Sequence, residues 1–290
     1  PTVAKRGLSL SVKIFVGISI VVALVLGATL VFTARSARVA AEASVARVGA
    51  SAREALTAQL AGRSEGLLRG LRAFNENSQF RAMLVTPAED FLTSMVDQSV
   101  VAASTAEADW VQIVDRNGVR VAKSDDPEAP LDTLADSPSI GGALENNEIQ
   151  AFGITNDTLI SQIVVVPVED NSVVYGAVMG VRLLDDSFAK QVKQAAVDAV
   201  DVVFYALDRD ETPRVNGTTL DRAALSEPLL QRLHEIAGAE GEAMRADVDI
   251  AGKTYVALGG ILSSAGGAPL GGYVLLRDRD AEFALFNALE

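Results

Sequence analysis

The sequence predicts an α+β protein with an N-terminal transmembrane helix, a long helix after it, and two tandem lobes built on antiparallel sheets. Three observations predict this class. A stretch of nineteen uncharged residues lies near the N-terminus, a helical pattern with almost no breakers follows, and two similar strand-rich segments make up the remainder. The chain has 290 residues, which is enough for two domains of ordinary size.

The uncharged stretch, residues 14–32, reads IFVGISIVVALVLGATLVF. A helix rises about 1.5 Å per residue, so this length nearly crosses a hydrocarbon core of roughly 30 Å. We therefore predict a transmembrane helix at 14–33. One alternative is a cleaved signal peptide, whose apolar region is usually shorter, at about 7–15 residues. Another alternative is a buried core helix of a soluble protein.

The charges around this stretch predict its orientation. Three basic residues precede it, and the first acidic residue of the chain is Glu42. By the positive-inside rule, residues 1–13 are cytoplasmic and residues 34–290 lie outside the bacterial inner membrane. The basic residues are Lys5, Arg6 and Lys13.

The composition excludes several classes of function. All 38 acidic residues, but only 22 of the 25 basic ones, follow the apolar stretch. An outer portion this acidic argues against nucleic-acid binding, which requires basic groups to neutralise phosphates. The chain has no cysteine, which excludes disulfides, thiolate metal sites and a cysteine nucleophile.

Residues 34–108 are predicted to form two helices. The segment 34–73 is rich in Ala, Leu, Arg and Glu, with apolar residues at steps of three and four. Its glycines would allow a second helix to approach closely, as in a homodimer seam; alternatively, this helix lies on its own domain. The second helix is predicted to begin at Pro87, with Thr86 and Glu89 as a capping box, and to run to about Ala108.

The lobes are predicted at 109–199 and 200–280, with 281–290 starting a helix that returns to the membrane. In the first lobe, strands are expected around Asn117-Gly118, at Leu159–Pro167 and at Val173–Leu184, with a loop-rich region at 124–156. Asp185 and Asp186 begin a helix. In the second lobe, a helix is expected at Glu227–Ala237, followed by strands at Met244–Ile250 and Thr254–Leu262.

The two lobes are similar in sequence. Gly176-Ala-Val-Met-Gly-Val-Arg-Leu-Leu-Asp-Asp corresponds to Gly271-Gly-Tyr-Val-Leu-Leu-Arg-Asp-Arg-Asp, and this alignment places Arg182 on Arg277. The turns that begin at Asp115 and Asp208 align at nearly the same offset. Two copies of one mixed α/β unit therefore follow each other.

These residues, with Asp185-Asp-Ser-Phe188 after the first copy, resemble the last strand and following helix of each lobe in double-Cache sensors. That family consists of tandem PAS-like lobes outside the membrane in bacterial receptors. The resemblance implies an extracytoplasmic input module for a histidine kinase, chemoreceptor or nucleotide cyclase. It also implies a small ligand in the membrane-distal lobe, 109–199, and a helix displacement that crosses the membrane.

Five residues are candidates for the ligand site. Arg182 interrupts an apolar strand near the point where, by the resemblance, many amino-acid-binding Cache lobes have an aspartate. A guanidinium there would instead favour a carboxylate or another anion. Alternatively, it is structural and pairs with Asp185 or Asp280, because Arg277 recurs at the matching place. Trp110 either packs on a ligand or is a half-buried aromatic at a strand end. Neutral polar contacts could come from Gln112, Ser161 and Gln162.

No catalytic residue, metal ion or cofactor is predicted. The sequence has no phosphate-binding loop and no zinc-binding helix motif, and its single histidine, His234, is interpreted as structural. The alternative to a ligand-binding receptor module is a ligand-free structural, dimerisation or partner-binding domain. The Ser263–Pro269 loop looks too short to cap a pocket in the second lobe, which favours a spacer role there.

Overall fold

The computed structural model describes residues 25, 27, 29, 32, 35, 51–155, 158–196, 200–239 and 245–279. The chain divides into two compact units, residues 1–50 and 51–290. In the first unit, the five described residues are helical, and the predicted transmembrane helix otherwise lies outside the described residues. Within the described part, no helix is long and apolar enough to cross a membrane. The predicted returning helix at 281–290 also lies outside the described residues.

The second unit contains two five-stranded antiparallel sheets with the same strand order, β2-β1-β5-β4-β3 and β7-β6-β10-β9-β8. The strands of the first sheet are β1 Trp110–Asp115, β2 Arg120–Lys123, β3 Ile149–Thr155, β4 Leu159–Asp170 and β5 Val173–Leu183. Those of the second are β6 Val200–Leu207, β7 Pro213–Thr218, β8 Arg245–Ile250, β9 Lys253–Ser263 and β10 Pro269–Asp278. The predicted α+β class with two antiparallel sheets is confirmed.

Six helices among the described residues cover these sheets, together with a short 3-10 turn at Arg222–Ala224. They are α1 (51–75), α2 Ser78–Val85, α3 Phe91–Thr105, α4 Pro138–Leu144, α5 Asp186–Ala195 and α6 Glu227–Gly238. We call β1–β5 with α2, α3 and α4 the first lobe, and β6–β10 with α5 and α6 the second lobe. Helix α5 precedes the second sheet in the chain and packs on its β6 and β7.

Helix α1 packs along both lobes. Leu56 is buried in the core beneath the second sheet, and Leu67 and Leu71 are buried in the core beneath the first. Gly70 permits a close approach, because a Cβ there would lie 2.3 Å from the Cα of Ala106. The described part of this helix therefore lies on its own domain, which was one of the two alternatives. The homodimer remains a prediction.

The two lobes are joined by a buried side chain. Asn216 on β7 accepts a hydrogen bond from the Ile160 N–H at 3.0 Å and donates to the carbonyls of Ile160 and Leu184. Beside it, a Cβ on Gly217 would lie 2.5 Å from the carbonyl oxygen of Leu184, the residue that follows β5. The backbone of β7 therefore lies close to the end of the first sheet at this point.

The predicted start of the second helix was wrong. Helix α3 begins at Phe91 with Asp90 as its N-cap, because Thr86 ends the preceding helix α2 by donating its N–H to the Ala82 carbonyl at 2.9 Å. Helix α2 lies between the two predicted helices, where no helix was predicted. Its N-cap, Asn77, accepts hydrogen bonds from two backbone N–H groups, a local signal typical of a helix start.

The predicted loop at 124–156 is only partly a loop. It contains helix α4 and strand β3, which pairs with β4 along its whole length. Pro138 occupies the first position of α4, where proline suits a helix start. Gly141 lies within this helix. A Cβ on Gly141 would lie 2.8 Å from the Ala135 carbonyl oxygen, so glycine suits this position because the backbone packs closely there and not because the chain turns.

The predicted repeat and hairpins are confirmed. Gly176 pairs with Asp115 in the first sheet, and Gly271 pairs with Ala206 in the second, so the aligned strands have the same neighbours. The turn between β4 and β5 has positive φ at Asn171 and Ser172. In the first hairpin only Gly118 has positive φ, and the Asp115 carboxylate accepts two backbone N–H groups of the turn.

Candidate ligand-binding site

A cavity of about 220 Å³ lies between the first sheet and the segment that carries α4. Its walls come from β1, β3, β4 and β5, from the start of α4, and from the hairpin between β9 and β10 of the second lobe. The residues that line it are Gln112, Leu134, Ser137, Pro138, Ser139, Ile140, Phe152, Gly153, Ile154, Thr155, Ile163, Met179, Ser264, Ala265 and Leu270.

The alternation of β1 brings Gln112 into this cavity. Val111 and Ile113 point to the core beneath α1 and α3, so Gln112 points to the opposite face of the sheet. Its side chain is buried; Oε1 accepts from Arg120 Nε at 3.3 Å, and Nε2 lies 3.4 Å from Met179 Sδ. A thioether is a weak acceptor, so the Gln112 amide keeps a donor that the protein satisfies poorly.

Hydroxyl groups supply the other polar atoms of the cavity. Thr155 and Ser139 line it, and both are buried. The Thr155 hydroxyl lies 3.1 Å from the Leu159 carbonyl and 3.0 Å from the hydroxyl of Ser161, which stands directly behind it. The hydroxyls of Thr155 and Ser161 therefore lie at the wall formed by β3 and β4, whereas Gln112 lies at the wall formed by β1.

Trp110 lies on the same face of the sheet as Gln112 but does not line the cavity. It is buried in an apolar cluster with Ile140 and Ala143 of α4, and Lys123 Nζ lies 4.7 Å from the centre of its ring. This packing holds α4 over the sheet, so Trp110 stabilises a wall of the cavity without lining it.

The remaining two candidates, Arg182 and Gln162, point to the opposite face of the sheet. They are opposite each other in the β4–β5 pairing, and Gln162 donates to the Leu60 carbonyl of α1 at 2.8 Å. Arg182 donates to the carbonyls of Ala106 and Glu107 at the end of α3, and forms an ion pair with Glu107 at 3.2 Å. The structure therefore separates the five candidates into two groups.

In its structural role, Arg182 does not pair with Asp185, one of the two partners that we expected. Asp185 is occupied as the N-cap of α5, accepting from the Phe188 N–H at 2.9 Å, and Asp280 lies outside the described residues. Arg182 instead holds the C-terminal end of α3, where cations are favoured.

Sequence reasoning missed the contribution of the second lobe. The short hairpin that follows β9 places Ser264 and Ala265 in the wall of the first-lobe cavity, and Ser264 bridges to Phe152 of β3. Contacts between residues this far apart leave no local signal. Phe152 and Thr155 could have been found, because they lie in an apolar segment that ends a long connection.

Two of the depressions formed by described residues lie outside this cavity. One, of about 540 Å³, follows the outer side of α2 and takes all but one of its lining residues from Ser78–Thr86. The other, of about 410 Å³, lies between α1 and α5. The cavity under α4 is the one enclosed between the first sheet and the segment that crosses it. Among the described residues, no cluster of three or more potential metal-binding side chains occurs.

No protein-family model and no curated protein matches the chain. The comparison with solved structures does give matches. The sensor domain of histidine kinase DctB from V. cholerae is 13% identical, with 77% of this chain and 98% of that chain covered and a TM-score of 0.45. The ligand-binding domain of Pseudomonas fluorescens chemoreceptor CtaA in complex with L-serine is 14% identical, with coverage of 80% and 93% and a TM-score of 0.45.

A third match is the ligand-binding domain of Campylobacter jejuni chemoreceptor Tlp3 in complex with 4-methylisoleucine. It is 8% identical, with 81% of this chain and 89% of that chain covered and a TM-score of 0.45. These three matches are ligand-binding or sensor domains of a histidine kinase and of two chemoreceptors.

Proposed function

We propose that the chain is the sensory input module of a bacterial transmembrane receptor and binds a small uncharged molecule in the first-lobe cavity. The observation that carries this proposal is the Gln112 amide, a buried donor whose nearest acceptor on the cavity side is the sulfur of Met179. Leaving a buried donor poorly satisfied costs about 1–3 kcal/mol. A ligand oxygen would remove that cost when it binds.

The chemistry of the walls defines the ligand. The described residues that line the cavity are all uncharged, and most are apolar. A carboxylate buried there would have no cationic partner, which is strongly unfavourable, so the anionic ligand expected through Arg182 does not suit this cavity. A volume of about 220 Å³ lies below the roughly 300–1,000 Å³ typical of drug-sized ligands. We therefore favour a compact, uncharged ligand with a carbonyl or hydroxyl oxygen.

The position of the cavity supports a role in signalling. Its walls include both α4 of the first lobe and the β9–β10 hairpin of the second lobe, so an occupant would contact both lobes. Helix α1 packs along both sheets, and a change between the lobes would shift it, a known class of switching motion. The ligand must bind the two arrangements unequally for any signal to pass.

The membrane anchor at 14–33, the extracytoplasmic location of 34–290 and the homodimer are parts of the same proposal. A membrane anchor that precedes α1 in the chain would carry the shift across the membrane, and a homodimer would convert it into a movement between two helices. These parts rest on the charge pattern and on the helical pattern of the sequence.

The test is a thermal-shift screen of the 290-residue chain in non-ionic detergent against small uncharged amides, lactones and polyols. A ligand at 100 times its dissociation constant stabilises the folded state by about 2.7 kcal/mol. We expect at least one compound to raise the melting temperature, and Gln112→Leu to abolish that rise.

The matched control is Gln162→Leu, because Gln162 is also buried in the first sheet but faces α1. This variant should keep the ligand response even if it lowers the melting temperature. A response that survives Gln112→Leu would place the ligand elsewhere. A screen with no response would favour the alternative, a structural or partner-binding module without a small ligand.

A further inference from the structure

A groove lies on the opposite face of the first sheet from the cavity, between α1, α5 and the end of α3. Its volume is about 410 Å³, and three of its lining side chains are arginines. The lining residues are Gln59, Gly62, Arg63, Gly66, Arg69, Glu107, Arg182, Phe188 and Gln191. A concentration of cations is unusual in a chain with a net charge of −13.

Arg63 is half-buried in this groove without an ion-pair partner among the described residues. Its two terminal nitrogens each lie 3.3 Å from the Leu183 carbonyl, and its guanidinium lies 4.0 Å from the centre of the Phe188 ring. Burial, together with the nearby charge of Arg182, lowers the pKa of Arg63 to about 10. Buried charges are normally paired with an opposite charge, so an anion bound beside this guanidinium would be favourable.

Arg182 has a partner that is weakly held. In the ion pair with Glu107, the Arg182 side chain is 14% exposed, whereas the Glu107 side chain is 86% exposed. An ion pair with so exposed a partner contributes little, about 0–1 kcal/mol. Within the described residues, nothing accepts a hydrogen bond from Nη1 of Arg182, while Nε and Nη2 are engaged at the end of α3.

Two other carboxylates, Asp109 and Asp185, act on Arg63 from a distance and raise its pKa, but less than burial and Arg182 lower it. Both are held by backbone donors. The Asp109 carboxylate accepts from the Leu183 N–H at 2.6 Å, and that of Asp185 accepts from the Phe188 N–H. These bonds keep both carboxylates at their strand and helix ends, so neither forms an ion pair with Arg63.

The α1 side of the groove is open. At Gly62 and Gly66, an added Cβ would meet no atom within 4 Å. This contrasts with Gly70 one turn later, where the end of α3 fills the space. Arg69 lies on the exposed side of the same helix, and its Nε donates to the Glu65 carbonyl. The groove therefore has both room for a small molecule and a cation near its entrance.

We propose that this groove binds a small oxyanion, a carboxylate or a phosphate, between Arg63 and Arg182, and that the anion replaces Glu107 as the partner of Arg182. Guanidinium groups favour such oxyanions because they donate paired hydrogen bonds. The occupied groove would hold α1 against β5 and α5. This site is separate from the cavity that holds the uncharged ligand, and it does not depend on the proposed function.

The experiment is isothermal titration of the 290-residue chain in non-ionic detergent with inorganic phosphate and with malate, at an ionic strength held constant with chloride. We expect saturable binding of at least one of these oxyanions. Binding of malate alone would assign the site to carboxylates, and binding of phosphate alone would assign it to phosphates. The absence of saturable binding by both would overturn the proposal.

Three variants test the geometry. Arg63→Gln should weaken binding at least tenfold, and Gly66→Leu should do the same by filling the groove from a helix position that tolerates a side chain. Glu107→Gln should tighten binding, because it removes the competing carboxylate; a gain of affinity cannot result from misfolding. Equal affinities in all three variants and in the parent chain would refute the site.

Two controls separate this site from other effects. Arg72→Gln removes an arginine of the same helix that pairs with Glu148 outside the groove, and it should leave anion affinity unchanged. Gln112→Leu alters the cavity and should also leave it unchanged. If Arg72→Gln weakened binding as much as Arg63→Gln, the effect would be one of overall charge and the proposal would fail.

Discussion

The two lobes have the same strand order, but their helices cover the sheets differently. In the second lobe, α6 lies directly on the sheet, and Leu230, Leu233 and Ile236 fill the interface with apolar side chains. In the first lobe, α4 is shorter and a cavity of about 220 Å³ lies beside it. The same sheet can therefore support either a packed core or a cavity, depending on the helix that covers it.

One pair of equivalent positions explains much of this difference. Met179 pairs with Val165 in the first sheet, and its counterpart Val274 pairs with Gly259 in the second. A Cβ on Gly259 would lie 2.7 Å from the Cα of Ala237, so the glycine lets α6 touch the strand. Val165 has a side chain at the same place, which keeps the covering segment farther from the sheet.

The polar groups on these two faces also differ. In the second lobe, the buried Tyr205 hydroxyl has a partner on the covering helix, His234 Nδ1 at 3.0 Å, and burial raises the pKa of Tyr205. In the first lobe, the ladder places Gln112 at the position equivalent to Val203, and Nε2 of Gln112 donates to the weak acceptor Met179 Sδ. A satisfied polar group is typical of a core, whereas a poorly satisfied donor is typical of a binding site.

The largest effect is expected from Leu233→Ala, which removes a fully buried side chain of α6. We expect the free energy of unfolding to fall by about 2–5 kcal/mol. Ile140→Ala, in α4, should cost less, because Ile140 lines the cavity and its removal enlarges a space that already exists. Urea denaturation of both variants measures this, and equal losses would contradict the contrast between the lobes.

An intermediate effect is expected from Gly259→Val, which gives the second lobe the residue found in the first. The new side chain must displace α6, at a cost of about 1–3 kcal/mol. Gly238→Val is the control, because a Cβ there meets no atom within 4 Å. If Gly259→Val were as stable as its control in denaturant titrations, the close contact of α6 would not depend on this glycine.

The smallest effects compare the two polar groups. His234→Leu removes the partner of the Tyr205 hydroxyl and should destabilise the chain by about 1 kcal/mol. Gln112→Leu should be close to neutral, because it removes a poorly satisfied donor, which offsets the loss of the Oε1 atom that accepts from Arg120 Nε. Both are measured as shifts in the denaturation midpoint. A clear loss of stability in Gln112→Leu would show that this amide is structural, as in a packed core.

Much of the fold could be predicted because its signals are local. The turns at Asn171-Ser172 and Ala251-Gly252, and the repeat around Gly176 and Gly271, depend on residues close together in the chain. Errors arose where one residue had two possible roles. Thr86 could cap a following helix or end a preceding one, and the contact with Ala82 decided between them.

The candidate site was predicted less well, for a physical reason. Strands β4 and β5 are buried on both faces, so the alternation of apolar and polar residues that reveals a strand's inward side is absent. Without it, Arg182 and Gln162 could not be distinguished from Gln112 and Ser161, although the two pairs point in opposite directions.

Composition and periodicity were enough to predict the α+β class, the duplicated strand pattern and the residues able to carry polar chemistry, because these properties are expressed locally along the chain. The tertiary structure was needed to assign each residue to a face of its sheet and to show which distant segments meet. It brought Ser264 of the second lobe to the cavity of the first, and it placed Arg182 beside Arg63 in a separate groove. Such contacts depend on how the covering helices pack on the sheets, and that packing is a property of the whole chain.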